Sequence, residues 1–389
     1  MTSAYIKILL REFNRIFERK TLYLISIILP IIIFLTYGFI YKQEIIREIP
    51  VSIYDNDNSS LSQKIIEQVE SSSSLRIVKY NFNLEEVKND FKSGSVHAAF
   101  YIPKGFEKNI KMNKNSTIVV YINSSNLIFN NIILKDATTI IKTVSASILL
   151  KKIRSKGNSF NKSLDIINPV RIETASLYNY NYSYLNYLVP GLIGFTLQMM
   201  IMISSVLVFS SEFSHGSFNE LVRISKFSSF NIIIGKLTSH FLIHITNILL
   251  ILFIIFPFFN IHVKGAYTNL FFIYIIFVLT NLLIAFAVSS LIKDQQLATE
   301  VVVFFNTPAF IFSGFTFPLW AMPNIHASIA YTMPFTYFIN SSIKIMYMNC
   351  SLSYIKNEIL IFSALIMISL VITFLSISYK IKNSNKDLD

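Results

Sequence analysis

Residues 21–41 read TLYLISIILPIIIFLTYGFIY, 21 residues without a charge. A bilayer core is crossed by about 20 consecutive apolar residues in a helix. The stretch therefore predicts a transmembrane helix, and it sets the frame for everything around it. Upstream lie Lys7, Arg11, Arg15, Arg19 and Lys20, as they would before a signal peptide. A signal's apolar region runs only ~7–15 residues and ends in a small-x-small cleavage site. Here the chain continues Gly38-Phe39-Ile40-Tyr41-Lys42, so an uncleaved span is expected.

Working outward, further uncharged runs predict spans at 185–211, 237–261, 267–292, 300–320 and 358–379. Charged residues make up only 14% of the 389-residue chain, and hydrophobic residues 53%. A soluble protein carries about 25% charged residues. The expected fold class is an α-helical polytopic membrane protein of six transmembrane helices. A small α/β extracytoplasmic domain, 42–184, is inserted between spans 1 and 2.

Orientation follows from Lys and Arg in short loops. With the N-terminus inside, the short inner segments 1–20, 212–236, 292–300 and 380–389 hold 12 basic residues. The short outer segments hold three: Lys264, Lys344 and Lys356. Both termini are thus expected in the cytoplasm. The net charge of +12 reflects basic residues flanking the spans, and no motif of a nucleic-acid reader accompanies it. The single cysteine, Cys350, excludes an intrachain disulfide.

Residues 1–20 form an amphipathic helix by the spacing of Ile6, Leu9, Leu10, Phe13, Ile16 and Phe17. Such a helix lies in the membrane interface, as a topogenic anchor or as a docking surface for a cytoplasmic partner. In the 42–184 domain, strands are expected at Ile49–Tyr54, Leu75–Tyr80, Ser95–Ile102 and Thr117–Asn123. Helices are expected over 58–70, after the Asn83/Glu86 capping pair, around Phe106 and over 127–154. Asp55 and Asp57 are read as the polar turn after the first strand. Tyr178, Tyr180, Tyr182, Tyr184 and Tyr187 suit an interfacial aromatic belt.

Enzymatic signatures are missing. Gly235-Lys236 is the nearest approach to a phosphate-binding loop, but position 230 is Phe and position 237 is Leu. His240 and His244 would share a helical face, yet further zinc ligands are not apparent nearby. Past their first residues the spans contain no carboxylate, which argues against a proton- or sodium-coupled carrier. Glu300 comes nearest, at the mouth of the fifth run.

Two segments point further. The first is Ser211-Glu212-Phe213-Ser214-His215-Gly216-Ser217-Phe218-Asn219-Glu220-Leu221, in the loop after the second span. The second is Phe312-Ser313-Gly314-Phe315-Thr316-Phe317-Pro318-Leu319-Trp320-Ala321-Met322-Pro323. Together with Val189-Pro190-Gly191, Gln295-Gln296 and Met333-Pro334, in this order, they resemble ABC-2 type permeases over essentially the whole chain. Glu212, Gly216, Ser217 and Glu220 match that family's cytoplasmic motif. The chain departs from the pattern in having no arginine beside Glu212, and in carrying Ser225-Lys226 where the family often has a hydroxyl residue followed by proline.

The resemblance implies the membrane subunit of an ATP-driven exporter in a bacterial cytoplasmic membrane. Two copies of a separate ATPase subunit would carry ATP and Mg, and this chain itself would bind no cofactor. A second permease copy or a related permease would complete the pathway, surrounded by membrane lipid, and an envelope adaptor protein remains open. The cargo would be a drug, lipid or other lipophilic compound. The 212–236 loop would receive the ATPase motion through Glu212, Gly216, Ser217, Glu220, Leu221 and Arg223. The outer motif is Ser313, Gly314, Phe315, Phe317, Pro318, Met322 and Pro323. Because 301–343 is too long for one crossing and is broken by prolines, 321–343 is expected to dip back as a re-entrant segment. Two other classes stay open: an ATPase-independent receptor or envelope-assembly protein, and a secondary transporter.

Overall fold

The computed structural model describes residues 4–43, 46–112, 114–155, 178 and 183–386. The chain divides into two compact units, one of Met1–Glu44 with Ser176–Asp389 and one of Ile45–Ala175. The first unit begins with helix α1 (Ala4–Glu18) and the long apolar helix α2 (Lys20–Ile40). A wide π-type turn at Leu24–Ile28 precedes Pro30 in α2. Proline has no N–H and leaves the carbonyl four residues back without its helical donor.

The second unit follows. Its elements are β1 (Ile49–Asp55), α3 (Ser60–Glu70), β2 (Leu75–Tyr80), α4 (Leu84–Ser93), β3 (Ala98–Ile102), α5 (Phe106–Lys111), β4 (Val119–Ile122) and α6 (Leu127–Arg154). The sheet order is β2-β1-β3-β4. β1 pairs in parallel with β2 and β3, while β4 closes antiparallel on β3. Ile53, Phe100 and Ile102 of the inner strands meet Ile65 and Val69 of α3 and Ile133 of α6 in one core. Each fully buried side chain of this kind contributes ~1.5–3 kcal/mol. Ser59 caps α3 at the N–H of Ser62, and Asn83 caps α4 at the N–H of Glu86. Asp55 accepts the N–H groups of Asp57 and Asn58, and Asp57 reaches across to the N–H groups of Gly105 and Glu107. The aspartates thus tie the ends of β1 and β3 together. Tyr180 and Tyr182 of the expected aromatic belt lie outside the described residues.

The first unit resumes with α7 (Tyr184–Ser214), α8 (Phe218–Ile224), α9 (Ser229–Phe258) and α10 (Tyr267–Leu291). It ends with α11 (Gln295–Asn306), α12 (Ala309–Phe312), α13 (Asn324–Ala330), α14 (Pro334–Met348) and α15 (Lys356–Lys386). Among the described residues, five helical segments are long and apolar enough to cross a membrane: α2, α7, α9, α10 and Leu352–Asn383. Phe277 of α10 stacks on Phe338 of α14 with ring centroids 4.0 Å apart, at the centre of an aromatic core. Two proline-freed carbonyls are recovered by neighbouring helices, which is what a bilayer demands of interrupted helices. Asn247 Nδ2 donates to Ser26 O at 2.9 Å, four residues before Pro30. The Tyr347 hydroxyl donates to Asn186 O, four residues before Pro190.

The helix ends fall into two groups. Near α1 lie Ser214, whose hydroxyl donates to Lys293 O at 3.0 Å, and Gln295, 3.3 Å from the His215 ring. Lys380 joins them, its ammonium 3.7 Å above the Phe213 ring. At the opposite end Tyr41 stacks on Tyr184, Lys264 N–H donates to Met346 O, and Tyr187 stacks on Phe315. Residues 295–312 therefore run from one end to the other.

The fifth run departs from a single span over 300–320. Its helix starts at Gln295, breaks at Thr307–Pro308 and ends at Phe312. The chain then continues as α13 and α14, the second of which ends at Met348. Glu212 and Lys236, read as the bounds of a loop, both lie inside helices, and the connection itself shrinks to 215–228.

Candidate functional site

α1 carries two faces. Ile6, Leu10 and Phe17 point outward, while Ile8, Glu12 and Ile16 are buried at spacing four. The expected apolar stripe is thus split, with Ile6, Leu10 and Phe17 outward and Ile16 buried, and a carboxylate occupies the middle of the face turned to the protein. Gly235 of α9 permits the approach, since a Cβ there would sit 2.8 Å from Cγ2 of Ile8.

Glu12 meets a buried charge cluster. Glu212, from the last turn of α7, receives a two-pronged bond from Arg11, at 2.6 and 3.1 Å. Arg15 Nη1 donates to the same carboxylate at 2.8 Å, and its Nη2 to Leu207 O at 3.1 Å. Lys236, from the second turn of α9, is 0% exposed. Its ammonium donates to Glu212 Oε1 at 2.9 Å and also to Glu12. His240 Nε2 lies 3.3 Å from Glu12 Oε1. Burial works against the Glu12 carboxylate, but the charges of Lys236 and Arg15 outweigh it and hold its pKa well below the ordinary value.

Burying ions costs several kcal/mol each, and their attraction repays this only with good geometry and satisfied hydrogen bonds. The paired contacts meet that condition. What the cluster fixes is register: α1 can sit on α7 and α9 in only one way that leaves no ion unpaired.

The motif after α7 hangs from this cluster. The Ser217 hydroxyl donates to Glu212 Oε2, and the Ser217 N–H to Glu212 O at 3.0 Å. Gly216 turns the chain at φ +69, a left-handed conformation costly for residues with a Cβ. Helix α8 then buries Phe218, Leu221 and Val222 and exposes Glu220 and Arg223. Lys226 and Phe227 both have positive φ, so the chain departs from a helix where the resembling family often has proline. The expected residues divide accordingly: Glu212, Ser217 and Leu221 anchor the element, while Gly216, Glu220 and Arg223 lie at its surface.

The absent arginine beside Glu212 is replaced from elsewhere, by Arg11 and Arg15 of α1. Sequence reasoning missed Arg11, Glu12, Arg15, Lys236 and His240 as one group. Glu12 between Ile8 and Ile16 was the available signal. His240 and His244 do share a helical face and are fully buried. They face different partners, His240 the Glu12 carboxylate and His244 the Ser204 hydroxyl and Asn247 amide.

At the opposite end, Ser313, Gly314 and Phe315 form a built turn. Ser313 Oγ accepts the Phe315 N–H at 3.3 Å, and Gly314 has φ +84. Phe315 lies over Gly191, where an added Cβ would come within 2.5 Å of its ring. Phe317, Pro318 and Pro323 are exposed, and Met322 is half-buried.

A family model described as ABC-2 family transporter protein matches residues 20–380. The chain is similar to the "Probable multidrug ABC transporter permease YbhR" of Escherichia coli K12, with 22% identity over 309 residues, 79% of this chain and 80% of the relative. It is also similar to the "Probable multidrug ABC transporter permease YbhS" of the same strain, with 20% identity over 195 residues, 49% of each chain.

Proposed function

Because the chain belongs to the ABC-2 family of transporter proteins, we propose that it is the permease subunit of an ATP-binding cassette exporter, moving a drug, lipid or other lipophilic compound out of the cytoplasm. ATP and Mg are bound by a separate ATPase, present in two copies. A second permease copy, or a related permease, completes the pathway. The two relatives named as multidrug permeases support this class of cargo.

The end of the bundle that carries α1 faces the cytoplasm, consistent with the excess of Lys and Arg in its short segments. Both termini lie on that side of a bacterial inner membrane, and the unit Ile45–Ala175 lies outside. Residues 295–312 make the fifth of six crossings. α13 and α14 form a re-entrant hairpin at the outer side.

The observation that carries the mechanism is the bonding of Glu212 to Arg11, Arg15 and Lys236, directly above the Ser217 start of α8. ATPase closure pushes on the exposed Glu220–Arg223 face. The buried face and the Glu212 clamp pass that movement to α1, α7 and α9 as one body. A floppy loop would absorb the displacement instead. Glu212, Gly216, Ser217 and Leu221 thus act in positioning, and Glu220 and Arg223 in contact.

The test is co-purification of the tagged chain from its native membrane. A stoichiometric ATPase chain, with hydrolysis stimulated by a transported compound, is the expected result. A chain that purifies without an ATPase and still moves its cargo down an ion gradient would overturn the reading.

A further inference from the structure

The turn after Phe312, helix α14 and the start of α15 enclose a pocket of about 440 Å³. It lies at the end of the bundle away from Glu212. Small-molecule sites range over roughly 300–1,000 Å³, mostly apolar with a few placed polar groups. Four aromatic side chains, Phe315, Trp320, Tyr331 and Tyr337, line this one.

Glu358 supplies the polar group. It is 7% exposed and belongs to the pocket wall. Its Oε1 accepts from Asn340 at 2.8 Å and from Lys344 at 2.7 Å. Its Oε2 has no hydrogen bond to any described residue. Lys344 pairs with Oε1 of this carboxylate, while Glu358 itself is among the residues that line the pocket. A carboxylate edge among aromatic rings attracts cations twice, through charge and through the ring quadrupoles. Neutral and anionic compounds gain neither attraction.

We propose that this pocket binds an organic cation, with the apolar body against the aromatic rings and the charge toward Glu358 Oε2. On the reading of the chain as an exporter, on which this assignment of cargo rests, the pocket is a release station for cationic substrates.

Trp320 is the single tryptophan of the chain and is 88% exposed, so it reports directly on the site. The purified full-length protein is titrated with tetraphenylphosphonium and, separately, with tetraphenylborate, of nearly the same shape and opposite charge. Saturable quenching by the cation alone is expected. Glu358→Gln should weaken it about tenfold, the scale of one buried charge contact. The double variant Glu358→Gln/Lys344→Met, which leaves no unpaired ammonium, should still weaken it, though by less. Quenching that is the same for both ions, or unchanged in the double variant, would overturn the proposal. The measurement needs neither ATPase nor transport, so it can fail while the exporter reading stands, and the reverse.

Discussion

The Lys236 ammonium lies 2.9 Å from Glu212 Oε1, with both side chains closed off from solvent. The two residues come from neighbouring helices, and Glu12 of a third helix bonds to the same ammonium. Three helices, the first of them distant in sequence from the other two, are therefore locked by one group of charges. In the proposed coupling, rigid transmission of a push on α8 would depend on that lock.

The charge balance of the cluster makes a prediction with a sign. Arg11, Arg15 and Lys236 face Glu12 and Glu212, three cations against two carboxylates. Glu12→Gln leaves an excess of two cations, whereas Lys236→Met leaves none. Removing one partner of a buried pair costs about 3–5 kcal/mol. Glu12→Gln should approach that loss, Lys236→Met should cost clearly less, and the double variant should recover much of the difference. Unfolding of the detergent-solubilised variants in a double-mutant cycle checks the order.

Asn247 holds a carbonyl that proline has released. Asn247→Leu would leave Ser26 O without its donor inside the bundle. A buried acceptor left unsatisfied costs about 1–3 kcal/mol. Thermal denaturation should show that loss. Pro30→Ala in the same background should restore part of it, because the helix regains its own donor.

The unit Ile45–Ala175 should soften in acid. Burial disfavours the Asp57 and Asp90 carboxylates, but hydrogen bonds outweigh it and hold both below the ordinary aspartate value of 3.8. For Asp57 the donors are Ser59 and the N–H groups of Glu107, Gly105 and Phe106; for Asp90 they are Lys79, Asn81 and Ser95. A lowered folded pKa gives stability that is complete above the unfolded value and is lost as pH falls through the folded one. Amide exchange in β1 and β3, taken relative to the intrinsic rate of an unprotected amide at the same pH, should accelerate below about pH 4. In Asp57→Asn that acceleration should be weaker, with faster exchange already at neutral pH.

The sequence disclosed what depends on local pattern. Runs without charge showed the long helices, and alternation with capping residues showed the strands and helices between 49 and 154. The family motif drew attention to Glu212 and Ser217. It could not show that Arg11 and Arg15 answer Glu212, because they lie about 200 positions upstream and were read as topogenic charges. Glu12 was hidden for a related reason. A carboxylate on an amphipathic helix is expected to face water, yet Glu12 lies with Ile8 and Ile16 on the face that packs on protein. The break at Pro308 and the course through α14 were legible only as an excess of length, since composition does not say where a proline-rich apolar chain turns.

If α8 receives work from a separate ATPase, a charge reversal on its exposed face, Glu220→Lys, should break the coupling. The variant is reconstituted with its ATPase partner in proteoliposomes, and ATP hydrolysis and substrate transport are followed together. The expected result is an inserted, folded protein whose transport collapses while hydrolysis continues. Transport at the normal rate in that variant would contradict it.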